Sequence, residues 1–425
     1  MIRSIYQYFF YPLGFFLLQL LRPFLNSKTK QMVSDKNKSF FVVKQGSRAE
    51  IAKKRPFWIH AASGEIEYAR PVIRDLKKRF PDIPVIVTYS SPSAKKILAG
   101  LEVDAWGALP WDFYGSCEHF LKIWRPRCFL IARTDVWPVM ATACHDQNIP
   151  SLLFAATFAS NSSRLSGVSG AVTAWALGKL SEIHCVSDAD VEQLHRIKLD
   201  TPVSVHGDTR FDQVFHRLQN PKPLKLALKP SGEVPVLVAG STWPEDERAL
   251  IPAFIKLRGE CQMILAPHEI QDFHLAAIER DLRSAGLTYC RYTRAHTWKD
   301  EDVLIADVVG VLAELYTWGN FAFVGGSFRK QVHSVMEPLA AGLPVIVGPF
   351  HTNNREALQF KDEKLLGVSI VTEVTAGESF ERALNAHWRN NSSVFRSDLQ
   401  TMLGLHRSSS RHVIEWCSRY AVTTL

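Results

Sequence analysis

The sequence predicts an α/β protein made of two Rossmann-like halves in tandem that face a central cleft. Short apolar runs alternate with helical stretches in both halves, which is the pattern of parallel sheets with crossover helices. A segment rich in proline and lysine separates the halves. The length of 425 residues suits two domains, at roughly 100–200 residues per domain. In such sheets, ligands bind at the carboxyl ends of the strands.

The predicted strands are short runs of apolar residues. In the first half they are residues 58–60, 85–88, 128–132, 151–154 and 182–186, and in the second half 236–239, 261–266, 303–306, 321–324 and 344–347. A helix is predicted over residues 65–80, directly after the first strand. Four prolines within residues 219–235 indicate a linker. We therefore expect domains at 31–218 and 236–405, and a carboxyl-terminal helix at 406–425.

The amino-terminal stretch, residues 5–25, is almost uniformly apolar. About 20 such residues can span a bilayer as a helix, although Pro12 would kink this one. The absence of a small-x-small cleavage site argues against a cleaved signal peptide, and a buried core helix is the alternative. Several lysines follow the stretch, and only Arg3 precedes it. We expect residues 1–30 to be a membrane-anchor helix, spanning or lying in the interface, with the protein body in the cytoplasm.

Charge and cysteine content restrict the partners. The formal net charge of +8 suits phospholipid headgroups or a phosphorylated substrate. Nucleic acid is disfavoured, because the chain has no arginine-rich run and no aromatic RNA-binding signature. Seven scattered cysteines without CxxC spacing argue against a disulfide framework and a structural zinc site.

The first informative motif is HAASGE, residues 60–65, which follows a predicted strand and opens a helix. The amino terminus of a helix offers free N–H groups and a partial positive charge, so it can hold an anion. Ser63 is a candidate cap for this helix. Glu65 has two interpretations: it complements the helix dipole, or it serves as a general base at the top of the sheet.

The second motif is GSTWPEDE, residues 240–247, which again follows a predicted strand. Small residues there let the backbone approach a phosphate closely. An ordinary capped helix start explains the same residues, and the two interpretations are compatible.

The third motif combines VGGS at residues 324–327, HSVMEP at 333–338 and GLPVI at 342–346. A strand runs into a glycine turn, and a helix carrying Glu337 leads to the next strand. A carboxylate placed there can accept both hydroxyls of a ribose, as in nucleotide-sugar enzymes, although Glu337 as a surface charge is the alternative. Asp188 and Asp190 resemble a metal-binding DxD, but they also suit a helix start. We predict no metal site.

In this order, the motifs resemble those of the Kdo transferases of lipopolysaccharide synthesis, where Kdo is 3-deoxy-D-manno-octulosonic acid. The resemblance rests on HAASGE, Trp137-Pro138, GDTRFD at residues 207–212, GSTWPEDE, GGSF at 325–328, HSVMEP, and a later turn containing Asn353. It runs over nearly the whole chain and is weakest at the two ends. It implies a GT-B fold, with an acceptor domain first and a nucleotide-sugar domain second.

The resemblance further implies an inverting transfer of Kdo from CMP-Kdo to a lipid A precursor (lipid IVA). The reaction would need no cofactor and would occur at the cytoplasmic face of the inner membrane. Glu65 matches the catalytic base, and helix amino termini near Ser241 and Gly326, together with Arg210, would meet the charge of the departing CMP. The implied substrate-binding residues are Ser63, Gly64, Asp135, Arg210, Ser241, Pro267, His268, Gly325, Gly326, Ser327, His333, Glu337 and Asn353.

The chain departs from the family pattern at four places, one of which is residues 154–159, a poor match to the Asn-x-Arg-x-Ser stretch expected after Trp-Pro. Ser63 directly precedes Gly64, one residue short of the usual Ser-x-Gly-Glu. Arg133 stands where the first acid before Trp-Pro is expected, and Ser334 follows His333 in place of asparagine. Two other functions therefore stay open at this point. One is another two-domain nucleotide-sugar enzyme, such as a UDP-sugar transferase or epimerase, and the other is a non-catalytic paralogue that binds lipid or a partner.

Overall fold

The structure, a computed structural model, describes residues 2–389 and 393–421. The chain forms two compact units, and each is described by itself. The amino-terminal unit comprises Met1–Gln213 and His406–Leu425, and the carboxyl-terminal unit comprises Val214–Leu405. The boundary lies inside a helix, Thr209–Gln219, so the proline-rich segment 219–235 belongs to the carboxyl-terminal unit.

The amino-terminal unit contains an eight-stranded sheet in the order β1-β4-β3-β2-β5-β6-β7-β8. The strands are β1 Phe41–Val43, β2 Phe57–His60, β3 Val85–Tyr89, β4 Ala105–Ala108, β5 Cys128–Ala132, β6 Ser151–Ala156, β7 Glu182–Cys185 and β8 Val203–Val205. Only β1 runs antiparallel to its neighbour. The parallel central strands bring their carboxyl ends, and the loops that follow them, to one edge of the sheet.

Eleven helices lie along residues 2–219, and several of them cover the two faces of this sheet. The eleven are α1 Ile2–Ile5, α2 Tyr11–Leu20, α3 Ser27–Asn37, α4 Arg48–Lys53, α5 Ile66–Arg79, α6 Ala94–Ala99, α7 Tyr114–Trp124, α8 Pro138–Asp146, α9 Gly167–Leu177, α10 Asp188–Leu194 and α11 Thr209–Gln219. A π-helical turn spans Tyr6–Phe10, and 3-10 turns span Arg22–Phe24 and Ser163–Leu165. Successive residues of β2 enter different cores, since Phe57 and Ile59 pack on one face and Trp58 on the other. Burial on both faces explains why the central strands are apolar throughout.

The carboxyl-terminal unit contains a seven-stranded parallel sheet in the order β11-β12-β10-β9-β13-β14-β17. The strands are β9 Val236–Thr242, β10 Gln262–Pro267, β11 Tyr289–Arg291, β12 Val303–Ile305, β13 Phe321–Val324, β14 Val345–Val347 and β17 Val371–Glu373, with a separate hairpin of β15 Lys364–Leu365 and β16 Val368–Ser369. The helices are α12 Pro244–Phe254, α13 Asp272–Ser284, α14 Leu312–Tyr316, α15 Met336–Ala340, α16 Arg355–Phe360, α17 Glu378–Arg389 and α18 Ser393–Gly404, with 3-10 turns at Leu226–Leu228 and Ile255–Leu257.

The last helix, α19 Ser409–Ala421, packs on the amino-terminal unit. Trp416 is 1% exposed and belongs to the same core cluster as Phe57. Arg127 donates hydrogen bonds of 2.7–2.9 Å to main-chain carbonyls at positions 54, 55, 420 and 421. These bonds satisfy carbonyls at the end of the helix that have no intrahelical partner.

The expected membrane-anchor helix at residues 1–30 is not found. Residues 2–20 form α1 of 4 residues, a π turn of 5 and α2 of 10. No helix within the described ranges has both the length and the apolar character needed to cross a bilayer. The boundary between the π turn and α2 lies next to Pro12. Pro12 is in the first turn of α2, where a missing N–H is tolerated.

Aromatic residues of this segment form hydrogen bonds and ring contacts with the rest of the amino-terminal unit. The Tyr6 hydroxyl donates to Oδ2 of Asp112 at 3.1 Å, and the Tyr11 hydroxyl accepts the Asp112 main-chain N–H at 2.7 Å. The Phe15 ring packs edge-on against Trp111 with its centroid 5.0 Å away. One face of the segment therefore contacts the globular unit, which an anchor inserted on all sides could not do.

Candidate active site

Motif HAASGE lies at the carboxyl end of β2. His60 is the last strand residue, and α5 begins at Ile66. The helix forms here because its apolar residues recur at helical spacing, and Ile66, Ala69 and Ile73 are buried against the sheet. The strand-to-helix turn thus presents Glu65 at the edge where the parallel strands end.

A buried histidine connects two of these strand ends. His60 Nε2 lies 2.9 Å from Oδ2 of Asp135, which belongs to the loop after β5. The Ser90 hydroxyl, after β3, donates to the same carboxylate oxygen at 2.6 Å. His60 Nδ1 lies 3.1 Å from the main-chain oxygen of Thr88. Three loops of the sheet are therefore joined around one carboxylate.

This arrangement stabilises the charged form of Asp135. Burial alone would raise the pKa of its carboxyl, but the hydrogen bond and charge of His60 and the hydroxyl of Ser90 outweigh it. The pKa of Asp135 consequently lies well below the usual carboxyl range, so the residue is a fixed negative charge at neutral pH.

Glu65 has the opposite environment. Burial is the main cause that raises the pKa of its carboxyl, and the charge of Asp135 raises it further. The Ala62 N–H, which donates to Glu65 Oε2 at 3.2 Å, opposes this shift in part. Thr134 lies near the other oxygen, with its hydroxyl 3.4 Å from Oε1. A carboxylate with a raised pKa is a better proton acceptor near neutral pH.

The two residues before Glu65 are Ser63, the expected helix cap, and Gly64. The Ser63 hydroxyl lies 2.6 Å from that of Ser93, and no side chain caps α5, so the expected cap is wrong. Gly64 is exposed, and a side chain there would meet nothing within 4 Å. The site therefore does not require glycine at this position on steric grounds.

Two guanidinium groups lie against the ring of Tyr68 in the same unit. Arg133 lies 5.4 Å and Arg210 4.5 Å from the ring centre. Arg210 is also paired with the buried carboxylate of Asp208, with Nε 3.0 Å from Oδ2. Because Asp208 already balances the charge of Arg210, the more exposed Arg133 is the better placed cation for an anionic group.

In the carboxyl-terminal unit, the motif GSTW ends β9 in a tight turn. Ser241 has φ of +56°, and a side chain on Gly325 would come within 2.3 Å of the Ser241 carbonyl oxygen. The end of β9 and the turn after β13 thus touch through their backbones, and glycine is needed for this contact.

The carboxylate of Asp246 fills the space where an anion was expected. It accepts the N–H groups of Gly326 at 2.7 Å, Phe328 at 2.9 Å and Trp243 at 2.9 Å. Burial raises the pKa of the Asp246 carboxyl, and the same three N–H groups lower it in part. The Gly326 N–H is therefore engaged within the protein, contrary to its expected contact with a departing phosphate.

An aromatic stack stands beside this turn. The His268 ring stacks on the rings of both Trp243 and His333, with centroid distances of 4.7 and 4.4 Å, and the latter two rings lie side by side with centroids 6.5 Å apart. Trp243 Nε1 donates to His333 Nε2 at 3.0 Å. Burial, with a contribution from the charge of His268, lowers the pKa of His333 to about 4. The exposed guanidinium of Arg329 covers the Trp243 ring at 3.9 Å.

Glu337 lies in the first turn of α15 and is half-buried. Arg217 Nη1 donates to its Oε1 at 3.2 Å, and the same guanidinium forms two bonds to Glu314, at 3.1 and 3.0 Å. Arg217 therefore orients the Glu337 carboxylate and leaves part of it accessible.

Of the other predicted residues of this unit, Ser327 and Asn353 form hydrogen bonds to main-chain groups of the loops around the glycine turn. The Ser327 hydroxyl donates to the Val324 carbonyl at 2.8 Å and is buried. The Asn353 side chain pairs with both main-chain polar groups of Val332, at 3.1 and 3.0 Å. Pro267 is buried at the end of β10. These residues shape the turn, and His268 and His333 line it.

Sequence reasoning did not select several side chains that the structure places in these clusters. His60, Ser90, Trp243, Asp246 and Arg329 all make contacts described above. His60, Trp243 and Asp246 stand inside the two motifs, so their polarity next to predicted strand ends was an available signal. Ser90 and Arg329 had no comparable pattern.

Asp190 of the DxD-like run has a structural role. Asp190 accepts the N–H of Ser187 at 3.0 Å and that of Phe158 at 2.8 Å, in a capping box at the start of α10. This is the helix-start interpretation.

The family profile and the curated relatives that match this chain carry the same description. The profile of the family described as 3-Deoxy-D-manno-octulosonic-acid transferase (kdotransferase) matches residues 36–213. The 3-deoxy-D-manno-octulosonic acid transferase of Bordetella pertussis is 31% identical over 333 residues, covering 73% of this chain and 75% of that protein. The enzyme of the same name from Rickettsia conorii is 26% identical over 372 residues, covering 82% and 77%.

Among solved structures, the chain is similar to a UDP-GlcNAc 2-epimerase from Neisseria meningitidis bound to UDP-GlcNAc. The TM-score is 0.58 at 14% identity, covering 85% of this chain and 98% of that one. This likeness shows the fold, which is GT-B-like with Rossmann-like sheets, as the sequence predicted.

The Asp135 carboxylate should stabilise the amino-terminal unit in a pH-dependent way. Replacing it in Asp135→Asn should cost about 1–3 kcal/mol of unfolding free energy at pH 7, because a part-buried charged hydrogen bond to His60 is lost. The folded pKa is depressed, so this contribution is complete above the unfolded pKa of about 3.9 and declines as pH falls below it.

Urea unfolding at pH 7, 5 and 3.5 measures the effect. Asp82→Asn is the control, since Asp82 is exposed. A difference between wild type and Asp135→Asn that stays constant down to pH 3.5 would contradict the assigned ionisation.

Proposed function

This chain belongs to the 3-deoxy-D-manno-octulosonic-acid transferase family, and we propose that it transfers Kdo from CMP-Kdo to a hydroxyl of a lipid A precursor. It is a glycosyltransferase by this membership. The observation that supports the catalytic role is the raised pKa of Glu65 beside the ionised Asp135, at the carboxyl edge of the sheet.

The proposed reaction is a single displacement. Glu65 accepts the proton of the acceptor hydroxyl while that oxygen forms a bond to the anomeric carbon of Kdo. The bond between the anomeric carbon and the phosphate oxygen breaks, and CMP leaves with the electron pair, so the configuration inverts. A neighbouring fixed charge on Asp135 disfavours a second charge on Glu65, which increases its affinity for the proton.

Donor recognition is assigned to the carboxyl-terminal unit. Because Asp246 occupies the main-chain amides of the glycine turn, cationic side chains must meet the phosphate charge. Arg329 is exposed beside the Trp243–His268–His333 stack and supplies such a cation. Glu337, oriented by Arg217, would accept the ribose hydroxyls.

The acceptor is a lipid, and the amino-terminal segment offers a surface for a membrane. Its outward face exposes large apolar side chains: Tyr8, Phe9, Phe10, Leu13, Phe16, Leu17, Leu20, Leu21 and Phe24. Interfacial helices bury such a face in the headgroup region, and the exposed lysines of α3, Lys28 and Lys30, would be attracted to anionic lipids. We therefore propose peripheral contact with the cytoplasmic face of the inner membrane.

The first test of this mechanism is Glu65→Gln, which keeps the size of the side chain and removes the basic carboxylate. Turnover from CMP-Kdo should fall by roughly 10²–10⁴-fold with CMP binding retained. In wild type, activity should be lost as pH falls through the raised pKa of Glu65, because protonation removes the base. Single-turnover rates across pH measure both effects.

Glu67→Gln is the matched control, because Glu67 lies two residues later on the same helix start and pairs with Arg70. It should leave the rate within about twofold of wild type, since loss of an exposed ion pair costs little. Near-normal turnover in Glu65→Gln would mean that another group is the base.

A second test concerns the nucleotide. Glu337→Ala should weaken CMP binding roughly ten- to hundredfold, since a hydrogen bond to a charged acceptor contributes about 1.5–3 kcal/mol. Calorimetry with CMP and UMP measures the affinities, and exposed Glu378 provides the control Glu378→Ala. Unchanged CMP affinity would remove Glu337 from the nucleotide site.

A third test concerns the membrane surface. The triple variant Phe9→Ser, Phe16→Ser, Leu20→Ser removes side chains that are 60%, 67% and 72% exposed. Each buried Phe or Leu contributes about 1.5–3 kcal/mol, so binding to anionic vesicles should weaken by more than roughly a hundredfold. Co-sedimentation with vesicles measures the partition.

The control replaces three apolar side chains of similar exposure in the other unit, Leu226→Ser, Phe273→Ser and Leu405→Ser. Equal loss of vesicle binding in both triple variants would exclude a specific membrane face on residues 8–24.

A further inference from the structure

A cavity of about 220 Å³ lies in the amino-terminal unit next to the Asp135 loop. The loop after β5, including Thr134, Asp135 and Trp137, lines this cavity together with residues of α9. Tyr6, from the amino-terminal segment, lines it as well. The cavity thus adjoins both the proposed catalytic group and the segment with the exposed apolar face.

The lining of the cavity is mainly apolar. On α9 it is formed by Ser169, Val172, Thr173, Ala176 and Leu177. The first four positions are spaced i, i+3, i+4 and i+7, so they form one face of the helix. Their small side chains leave the space open, and Phe158 is a further apolar lining residue. Such a surface favours an apolar ligand that makes no demand for hydrogen bonds.

The volume limits what can enter. Sites for a whole drug-sized ligand are about 300–1,000 Å³, and this cavity is smaller. A flexible hydrocarbon branch of a larger molecule therefore suits it better than a complete substrate. An entering hydrocarbon chain would gain favourable burial of apolar surface.

Two polar lining residues, Thr134 and Arg164, connect the cavity to the catalytic cluster. The Thr134 hydroxyl is 3.4 Å from Glu65 Oε1, and Thr134 lines the cavity. Arg164, exposed and also lining it, donates from Nη1 to the Thr134 carbonyl at 3.1 Å. Arg164 supplies a cation for an acidic headgroup beside the ionised Asp135, while the apolar lining residues accept a chain.

We propose that this cavity binds one acyl chain of the acceptor lipid and thereby positions its headgroup hydroxyl at Glu65. The proposal rests on the proposed function, since it names the part of the acceptor that this site recognises. It predicts that affinity for the acceptor depends on an acyl chain inside the protein as well as on the membrane surface.

The experiment compares two acceptors, the acylated lipid A precursor and its chemically deacylated phosphorylated disaccharide, each with CMP-Kdo. Ser169→Trp places a large ring into the cavity from an exposed lining position. The KM for the acylated acceptor should rise roughly tenfold, the change expected if about two methylenes are excluded from the cavity. The KM for the deacylated acceptor and both kcat values should stay within about twofold of wild type.

Val168→Trp is the matched control, because Val168 is the preceding residue of α9, is 64% exposed and does not line the cavity. If Ser169→Trp lowers the melting temperature, Thr173→Leu is the second variant, because it adds a smaller side chain at a half-buried lining position. It should also raise the KM for the acylated acceptor alone. An equal increase with both acceptors, or no increase with either, would overturn the acyl site. A wild-type enzyme that transfers Kdo to neither acceptor would instead refute the proposed function.

Discussion

The hydrogen bond between His60 and Asp135 is the contact on which the amino-terminal unit's functional edge depends. It fixes the loop after β5 against the end of β2, and the ionised Asp135 influences the nearby Glu65. The same loop continues into Trp137 and then α8, so its position also sets one wall of the apolar cavity. One part-buried polar pair therefore contributes both to the electrostatics of the proposed base and to the shape of the space beside it.

The start of α8 extends this connection to the amino-terminal segment. Asp112 accepts the N–H groups of Val139 and Met140 at 3.1 and 2.9 Å, and it also accepts the hydroxyl proton of Tyr6. Burial raises the pKa of Asp112 to about 6, with these donors opposing the shift. The segment that presents the exposed apolar face is thus joined by hydrogen bonds to the helix that follows the catalytic loop. Contact with a lipid surface and orientation of the acceptor would depend on the same packing.

The carboxyl-terminal unit uses an acid for a different purpose. Asp246 satisfies three main-chain N–H groups and so joins the end of β9 to the glycine turn after β13. The turn gains rigidity, but those N–H groups are no longer free for a phosphate. Charge on a nucleotide must then be met by side chains such as Arg329, and the stacked rings of Trp243, His268 and His333 provide a flat surface next to it. In the amino-terminal unit, a departure from the family pattern places Arg133 near Glu65, at a position where a carboxylate was expected.

The sequence by itself determined the alternation of strands and helices, the two GT-B-like units and the strand-to-helix turn that presents Glu65. These features follow from local apolar patterns. In the two main sheets it missed β4 and the edge strands β1, β8, β11 and β17, which are short and, at the edges, mostly half-exposed and so carry weak patterns. Only the tertiary structure decided the polar contacts, because their partners are far apart in the chain: 75 residues for His60 and Asp135, 80 for Asp246 and Gly326, and 106 for Tyr6 and Asp112. It likewise decided that the amino-terminal apolar stretch packs one face on the protein, since apolar composition alone does not distinguish a lipid-facing side chain from one that contacts a domain.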